Sequence, residues 1–390
     1  MSKEFDVVVY GATGYTGRLV AEYLLKTYGA GNTVKWAMAG RNRDKLAEVR
    51  DLIGAPASLP FIVADATDDA ALAAMAARAK VVLTTAGPYQ LYGSKLVGAC
   101  ARTGTDYVDL TGESHWIAAM IAAHAAEAKK SGARLVFSCG FDSIPFDLGV
   151  WFVEEEAKKR FGAYAPRVRG RVRGIKGGLS GGTLASGQAT MTLVQTDRSI
   201  GALLANPFAL TPGFAGPAQP DGDTPYEDTV TGSWVGPFMM AGINTKAVHR
   251  TNMLLGQPWS AAFRYDEMQM LEGPPKSGGG PNMGGFDFNL ANLPKPGEGP
   301  SKEERDAGWY DILFIAEMDD GRTVRAAVKG DADPGYGSTS KILAEAALTL
   351  AFEVPRNVTP GGCWTPAAAM AGALLKRMPT KAGLTFTVES

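Results

Sequence analysis

The sequence predicts an α/β fold, with an N-terminal Rossmann-type doubly wound parallel sheet followed by a second α+β domain. Three observations carry this. Before Pro145, short apolar runs alternate with helical patterns. A glycine-spaced turn joins the first run to the first helix. After Pro145 the pattern changes to β-rich runs separated by long Gly- and Pro-rich stretches.

The strands of the first domain are expected at 7–9, 34–39, 61–63, 81–85, 107–108 and 135–137. Runs that are apolar throughout, without alternation, suit strands covered on both faces. Helices are expected between them at 18–26, 44–52, 68–79, 95–102 and 116–130. The last of these ends in Lys129 and Lys130 followed by Gly132, which complements the helix dipole and permits a left-handed cap. Beyond Pro145 a helix is expected at 147–161 and a strand at 168–175, where basic and apolar residues alternate. Residues 177–187 form a Gly/Ser stretch, and within it the flexible, donor-rich segment 176–183 is suited to closing over a substrate or to a tight turn. Residues 211–300 are read as a long loop, densest in Gly and Pro at 273–281. Asp320-Gly321 between runs at 310–318 and 323–328 signals a hairpin. Helices at 339–352 and 366–378 close the chain, the second with Thr365 and Pro366 as cap and first helical residue. The domains are therefore 1–145, binding a dinucleotide; 146–353, for substrate and dimer contacts; and 354–390, a helical segment packing back on the first.

Composition narrows the function. The chain has 390 residues, enough for two or three domains of about 150. At 45% apolar and 20% charged it has the composition of a folded chain. Lys and Arg number 39 against 40 Asp and Glu, a formal charge of −1, so no overall field draws nucleic acid to the surface. Cys100, Cys139 and Cys363 lack metal or disulfide spacing and fit a reducing, cytoplasmic setting. Glu4 and Asp6 stand where a secretory signal would be basic. The uncharged stretches 199–220 and 229–245 are broken by Pro and Gly, so neither reads as a membrane span.

The chemistry concentrates at strand ends. Gly11, Gly14 and Gly17, with Thr13, Tyr15 and Thr16 between them, give a turn on which a backbone can approach a pyrophosphate at a helix N-terminus. The second strand ends in Arg41, 24 residues after Gly17, where an NAD enzyme would carry an acid. A guanidinium there can fork onto a 2′-phosphate, which points to NADP(H), although Arg43 could make the contact instead. Asp65 ends the third strand as an adenine acceptor or a helix cap. Ala86, Gly87 and Pro88 end the fourth and leave room for nicotinamide, with Tyr89 next to them as a donor to a substrate carbonyl. Asp109, Glu113 and Asp142 follow the fifth and sixth strands as candidates for proton transfer, substrate orientation or plain helix capping. His115, His124 and His249 are too scattered for a triad or a metal cluster.

Together these residues resemble the saccharopine dehydrogenase-like oxidoreductases, and within them the trans-acting enoyl reductases. The likeness runs through 10–17, Ala39-Gly40-Arg41, Val63-Ala64-Asp65, 81–89, 104–113, 139–145, 180–183 and 365–370. It implies NADP(H) on the glycines, Arg41 and the Gly87-Pro88-Tyr89 loop. It also implies reduction of an unsaturated acyl or lipid-like substrate, either a small molecule or carrier-bound, as on a polyketide synthase. Tyr89, Asp142 and Ser143 are then the catalytic candidates, and a homodimer is left open. Many relatives carry an apolar, membrane-seeking insert where this chain has its Gly/Pro-rich stretch at 273–300, so the resemblance does not carry membrane attachment over. Two other readings stand beside this one: reduction of a C=N or C=O bond, and a non-catalytic NADP sensor.

Overall fold

Strand and helix alternate through the first third of the chain: β1 (Phe5–Tyr10), α1 (Tyr15–Tyr28), β2 (Trp36–Gly40), α2 (Arg43–Leu52), β3 (Phe61–Val63), α3 (Asp69–Arg78), β4 (Ala79–Thr84), α4 (Tyr89–Tyr92), α5 (Ser94–Thr103), β5 (Asp106–Val108), α6 (Ser114–Ser131), β6 (Arg134–Val136) and α7 (Ile144–Phe161). These assignments come from a computed structural model that describes residues 3–274, 294–295 and 297–390. Polar caps set the helix starts: Asn42 accepts from the Lys45 N–H, and Asp68 from those of Ala70 and Ala71. Left-handed glycines at 104, 132 and 162 end α5, α6 and α7.

The second half contains β7 (Arg167–Lys176), α8 (Gly181–Thr196), α9 (Arg198–Ala205), β8 (Tyr226–Asp228), β9 (Ser233–Pro237), α10 (Ala241–Leu254), β10 (Arg264–Leu271), α11 (Lys302–Asp306), β11 (Trp309–Glu317), β12 (Thr323–Gly330), α12 (Thr339–Phe352), β13 (Gly362–Trp364), α13 (Pro366–Lys381) and β14 (Leu384–Glu389). Two seven-stranded sheets result. The first is parallel throughout, in the order β13-β6-β5-β4-β1-β2-β3. The strand order reverses between β1 and β4, and a crevice opens outside the carboxyl ends of those strands. The second sheet, β14-β12-β11-β7-β10-β9-β8, is antiparallel except for the β7–β10 pair. Late in the chain, α12 packs against α1 and the first sheet, β13 pairs with β6, and β14 pairs with β12 in the second sheet.

The alternation along β7 explains that second sheet. Arg167, Arg169, Arg171 and Arg173 each meet an acid on a neighbouring strand: Asp266, Glu317, Asp266 and Asp311 respectively, with Arg171 also reaching Asp228 of β8. Val168 and Val172 lie in the large core cluster that α7 shares. The hairpin about Gly321 forms as β11 and β12.

Two loop expectations are corrected. The stretch 211–300 holds β8, β9, α10 and β10, because its glycines and prolines fall mostly in the turns and leave regular segments between them. Of its densest part, 273–281, all but Gly273 and Pro274 lies outside the described residues. Within 177–187, Ser180 caps a 16-residue helix, α8, so only the first residues are a turn.

α7 lies so close to β11 that a Cβ on Gly149 would stand 2.3 Å from Phe314 Cε2, a ring fixed in the core. Gly149→Ala should therefore destabilise by about 1–3 kcal/mol. Gly187→Ala, in a helix position where nothing lies within 4 Å, should stabilise by about 0.5–1 kcal/mol. Urea midpoints of the two variants check this, and equal shifts would contradict the packing described.

Candidate active site

The glycine turn is shaped by close approach. Gly11 has φ +86°, and a Cβ there would lie 2.9 Å from the Ala86 nitrogen. A Cβ on Gly17 would lie 2.2 Å from the Gly11 carbonyl oxygen. Gly14 caps α1 without a side chain, so the first-turn N–H groups of α1 face open space with the positive end of the helix dipole. This cradle fits a pyrophosphate.

Along the rim, Thr13 packs beside Gly40, with its side chain 3.8 Å from where a Cβ of Gly40 would stand. Arg41 follows, exposed and without an ion pair among the described residues. Asn42 is taken up as the cap of α2 and Arg43 opens that helix. The Asp65 carboxylate accepts from the Thr67 N–H (2.8 Å) and hydroxyl (2.7 Å), and these bonds hold its pKa below the usual range. Thr16 is half-buried beside the cradle. Tyr15 turns away: its hydroxyl bonds the Pro300 carbonyl and accepts from Arg305 Nη1 at 2.8 Å, and its ring meets Tyr336 edge-on at 5.2 Å.

The loop after β4 is held from below. Glu113 accepts from the Tyr89 N–H (2.9 Å) and the Gln90 N–H (2.7 Å), which fixes the Gly87-Pro88 segment against the end of β5. Tyr89 is 4% exposed. Its hydroxyl donates to the Thr84 carbonyl at 3.0 Å and accepts from the Leu110 N–H at 3.4 Å, while its ring packs on Trp116. The phenol proton is thus committed inside the protein. Gln90 donates to Thr190 of α8 (3.1 Å) and meets His115 Nε2 (3.2 Å).

The ends of β5 and β6 carry the acids. Asp109 is buried and organises both turns, accepting from the Tyr107 hydroxyl (2.8 Å) and the N–H groups of Ser138 (2.7 Å) and Thr111 (3.2 Å). Burial outweighs these bonds and raises its pKa to about 7. Asp142 differs: its carboxyl has no hydrogen-bond partner among the described residues, is partly accessible, and burial alone raises its pKa to about 7. Its Oδ2 lies 3.6 Å from where a Cβ of Gly112 would stand, and Ile243 Cδ1 of α10 lies 2.8 Å from the same point. Ser143 points inward, its Oγ buried and unpartnered. The Cys139 thiol is buried and its pKa pushed up.

The fold therefore brings Gly11, Gly14, Gly17, Ala86, Gly87 and Pro88 together at the switch point and places Arg41 and Asp65 at its outer end. Asp142 alone of the three catalytic candidates offers a free polar group. Sequence reasoning did not find the Tyr15–Arg305 clamp, the Gln90–Thr190 bridge or Ile243, because each joins segments a hundred or more residues apart. Among the described residues no cluster of His, Cys, Asp and Glu could hold a metal, and no helix is long and apolar enough to cross a membrane.

Residues 7–136 match the saccharopine dehydrogenase NADP binding domain family. A Mycobacterium tuberculosis protein described as a candidate trans-acting enoyl reductase is 38% identical, over 97% of this chain and 96% of its own. The trans-acting enoyl reductase of Mycobacterium leprae is 37% identical with the same coverage. The solved saccharopine dehydrogenase (L-Glu forming) of Saccharomyces cerevisiae superposes with a TM-score of 0.54 over 99% of this chain and all of that one, at 13% identity, a likeness of fold. With an NADP-binding cradle and relatives aligned end to end, the chain belongs to the saccharopine dehydrogenase-like, NADP(H)-dependent oxidoreductases, in their trans-acting enoyl reductase branch.

Proposed function

We propose that this protein reduces an activated carbon–carbon double bond of an acyl thioester with NADPH. Free and carrier-bound thioesters both meet this chemistry. The observation that carries the reading is the unpaired Asp142 carboxyl at the end of β6, protonated near neutrality, beside the cleft that the glycine cradle and the Gly87-Pro88 loop define. NADPH supplies a hydride when bound. Arg41 is the residue placed to hold its 2′-phosphate, and Gly11, Gly14 and Gly17 leave the room for its pyrophosphate.

The remaining work belongs to the protein. Glu113 holds the Gly87-Pro88 loop rigid, so that the substrate carbons are aligned against a fixed surface. Burial of the Asp142 carboxyl beside Gly112 keeps it neutral at a pH where an exposed aspartate would be ionised. Conjugation to the thioester carbonyl makes the β-carbon electrophilic. After hydride reaches it, the α-carbon needs a proton, which Asp142 gives, ending as a carboxylate that solvent reprotonates through its accessible edge. Tyr89, whose hydroxyl donates to the Thr84 carbonyl, positions the loop, and the Ser143 carbonyl accepts from the Asp147 N–H (2.8 Å) in the first turn of α7.

NADPH oxidation against 2-enoyl thioesters tests the reading. Consumption with these substrates is expected, whereas turnover only with imines formed from lysine and 2-oxoglutarate would reassign the reaction to C=N reduction. Arg41→Asp should weaken NADPH binding roughly ten- to hundredfold, the worth of a charge-assisted contact of about 1.5–3 kcal/mol, and leave NADH binding equal or tighter. Tryptophan quenching with both cofactors measures this, and unchanged NADPH affinity would remove Arg41 from the site. With Asp142 raised to about 7, kcat/KM should be constant at low pH and fall as pH rises through about 7. Asp142→Asn should lose roughly a hundredfold or more in rate, along with that descending limb. A variant that keeps the wild-type profile would show that another group gives the proton.

A further inference from the structure

The first sheet has a second concentration of charge at the end away from the cleft. A cavity of about 400 Å³ opens there, where β4, β5 and β6 begin. Lys80, Asp106 and Arg134, at the starts of those strands, line it together with Lys3, Glu353 and Arg356. Its volume is that of a small-molecule site.

Four cations and two carboxylates share this cavity, and their partners show which charges are left over. Arg134 is buried against Asp106, its Nε at 3.1 Å and its Nη2 at 2.5 Å from Oδ2. It also donates to the Leu350 (2.7 Å) and Val354 (2.6 Å) carbonyls, which offsets the negative end of the α12 dipole. Lys80 meets Asp6 at 2.7 Å, and Glu353 turns to Arg377. Lys3 and Arg356 remain. Lys3 Nζ donates to the Thr105 hydroxyl at 2.9 Å, lies 3.5 Å from the Ala76 carbonyl oxygen, and meets no carboxylate among the described residues. The one carboxylate Arg356 reaches is Asp106 (3.1 Å), already engaged by Arg134; its other contacts are the Gly132 and Gly104 carbonyls. Burial lowers the Lys3 pKa, and the Arg356 guanidinium lowers it further. The two cations repel, and an anion beside both turns that repulsion into attraction.

The surplus is about two positive charges. A carboxylate would supply one negative charge, whereas a phosphate monoester brings between about −1.5 and −2 near neutrality, with three acceptor oxygens for a guanidinium and an ammonium. The rest of the cavity suits an organic body. Phe352 is 50% exposed, carries the Lys80 ammonium 4.8 Å from its ring centre, and lines the cavity beside Pro355. A metal ion would meet the wrong sign of charge. A nucleic-acid strand needs cations along a groove, which a cavity of this size does not offer.

We infer that this cavity binds a phosphorylated small molecule, its phosphate on Lys3 and Arg356 and its body against Phe352 and Pro355. The site lies across the sheet from the cofactor cradle and does not depend on the reductase reading.

Isothermal titration calorimetry of the full chain tests it, with phenyl phosphate as probe and NADPH at saturation so that the cradle is filled. Wild type should bind one equivalent, at least about tenfold more tightly than it binds inorganic phosphate or benzoate. Lys3→Ala and Arg356→Gln should each weaken this at least about tenfold, the loss of one charge-assisted contact, while Lys3→Arg, which keeps the charge, should stay within about threefold of wild type. Tryptophan quenching by NADPH reports whether each variant keeps its fold. Absence of binding to wild type, or wild-type affinity in Lys3→Ala and Arg356→Gln, would overturn the site. Binding seen only without NADPH and lost in Arg41→Asp would place the anion in the cradle and overturn it equally. Benzoate bound as tightly as phenyl phosphate would overturn the assignment to a phosphate. If no enoyl thioester is reduced but phenyl phosphate binds as described, the reductase reading fails and this site stands.

Discussion

The first turn of α7 is where the two halves of the molecule are tied, and the knot is one buried carboxylate. Asp147 accepts from the Thr251 hydroxyl of α10 at 2.5 Å and from the Ala367 N–H at the start of α13 at 2.8 Å. Thr251 is in turn bonded to Thr365. Loss of Asp147 would leave a buried helix N–H without a partner, a defect that costs about 1–3 kcal/mol. Phe146, beside it, packs against Phe141, Phe238 and Phe314, which come from the β6–α7 turn, the β9–α10 turn and β11. The chain from Cys139 to Ser143 leads directly into this turn, so the backbone that carries Asp142 is set by contacts with both sheets.

Charge is handled in two ways, and the difference separates scaffold from site. The buried guanidinium of Arg171 lies between Asp228 and Asp266, each within 2.7 Å. Arg134 is buried with Asp106 and also donates to the carbonyls of Leu350 and Val354 at the end of α12. Such ions are tolerated inside because partners replace the lost water. Glu267 is buried with Tyr265 and Asn244 as donors. Arg41 and Asp142 have no such partners among the described residues, and both follow the carboxyl ends of strands of the first sheet. Groups left unpaired beside a cleft are available to a ligand.

The legible part of this protein was the part whose signals are local. Gly11 and Gly17 have to be glycines because of backbone contacts made within one strand–turn–helix unit and the next strand end, and that unit could be recognised from spacing and context. The lack of an acid at the end of β2 was equally plain, as was the hairpin around Gly321. What stayed hidden depends on distant partners. β10, with Asp266 and Glu267 side by side, reads as a surface segment until Arg171, Tyr265 and Asn244 are seen to satisfy it. Tyr89 reads as a free donor next to a nicotinamide loop, and only Thr84 and Leu110 show where its hydroxyl is bonded. Asp109, Glu113 and Asp142 look alike in sequence. Their roles diverge because the first two are filled by backbone N–H groups and the third is not.

Proton donation at the cleft depends on the ionisation of Asp142. Carboxyl carbon chemical shifts of aspartate-labelled protein, recorded for wild type and Asp142→Asn between pH 4 and pH 9, isolate its titration from those of Asp109 and Asp147, which are also raised to about 7. The structure predicts that the resonance missing from the variant titrates with a midpoint near 7. A midpoint near 4, the value of a solvated aspartate, would mean that the cleft does not desolvate this carboxyl and that it holds no proton to give at neutral pH.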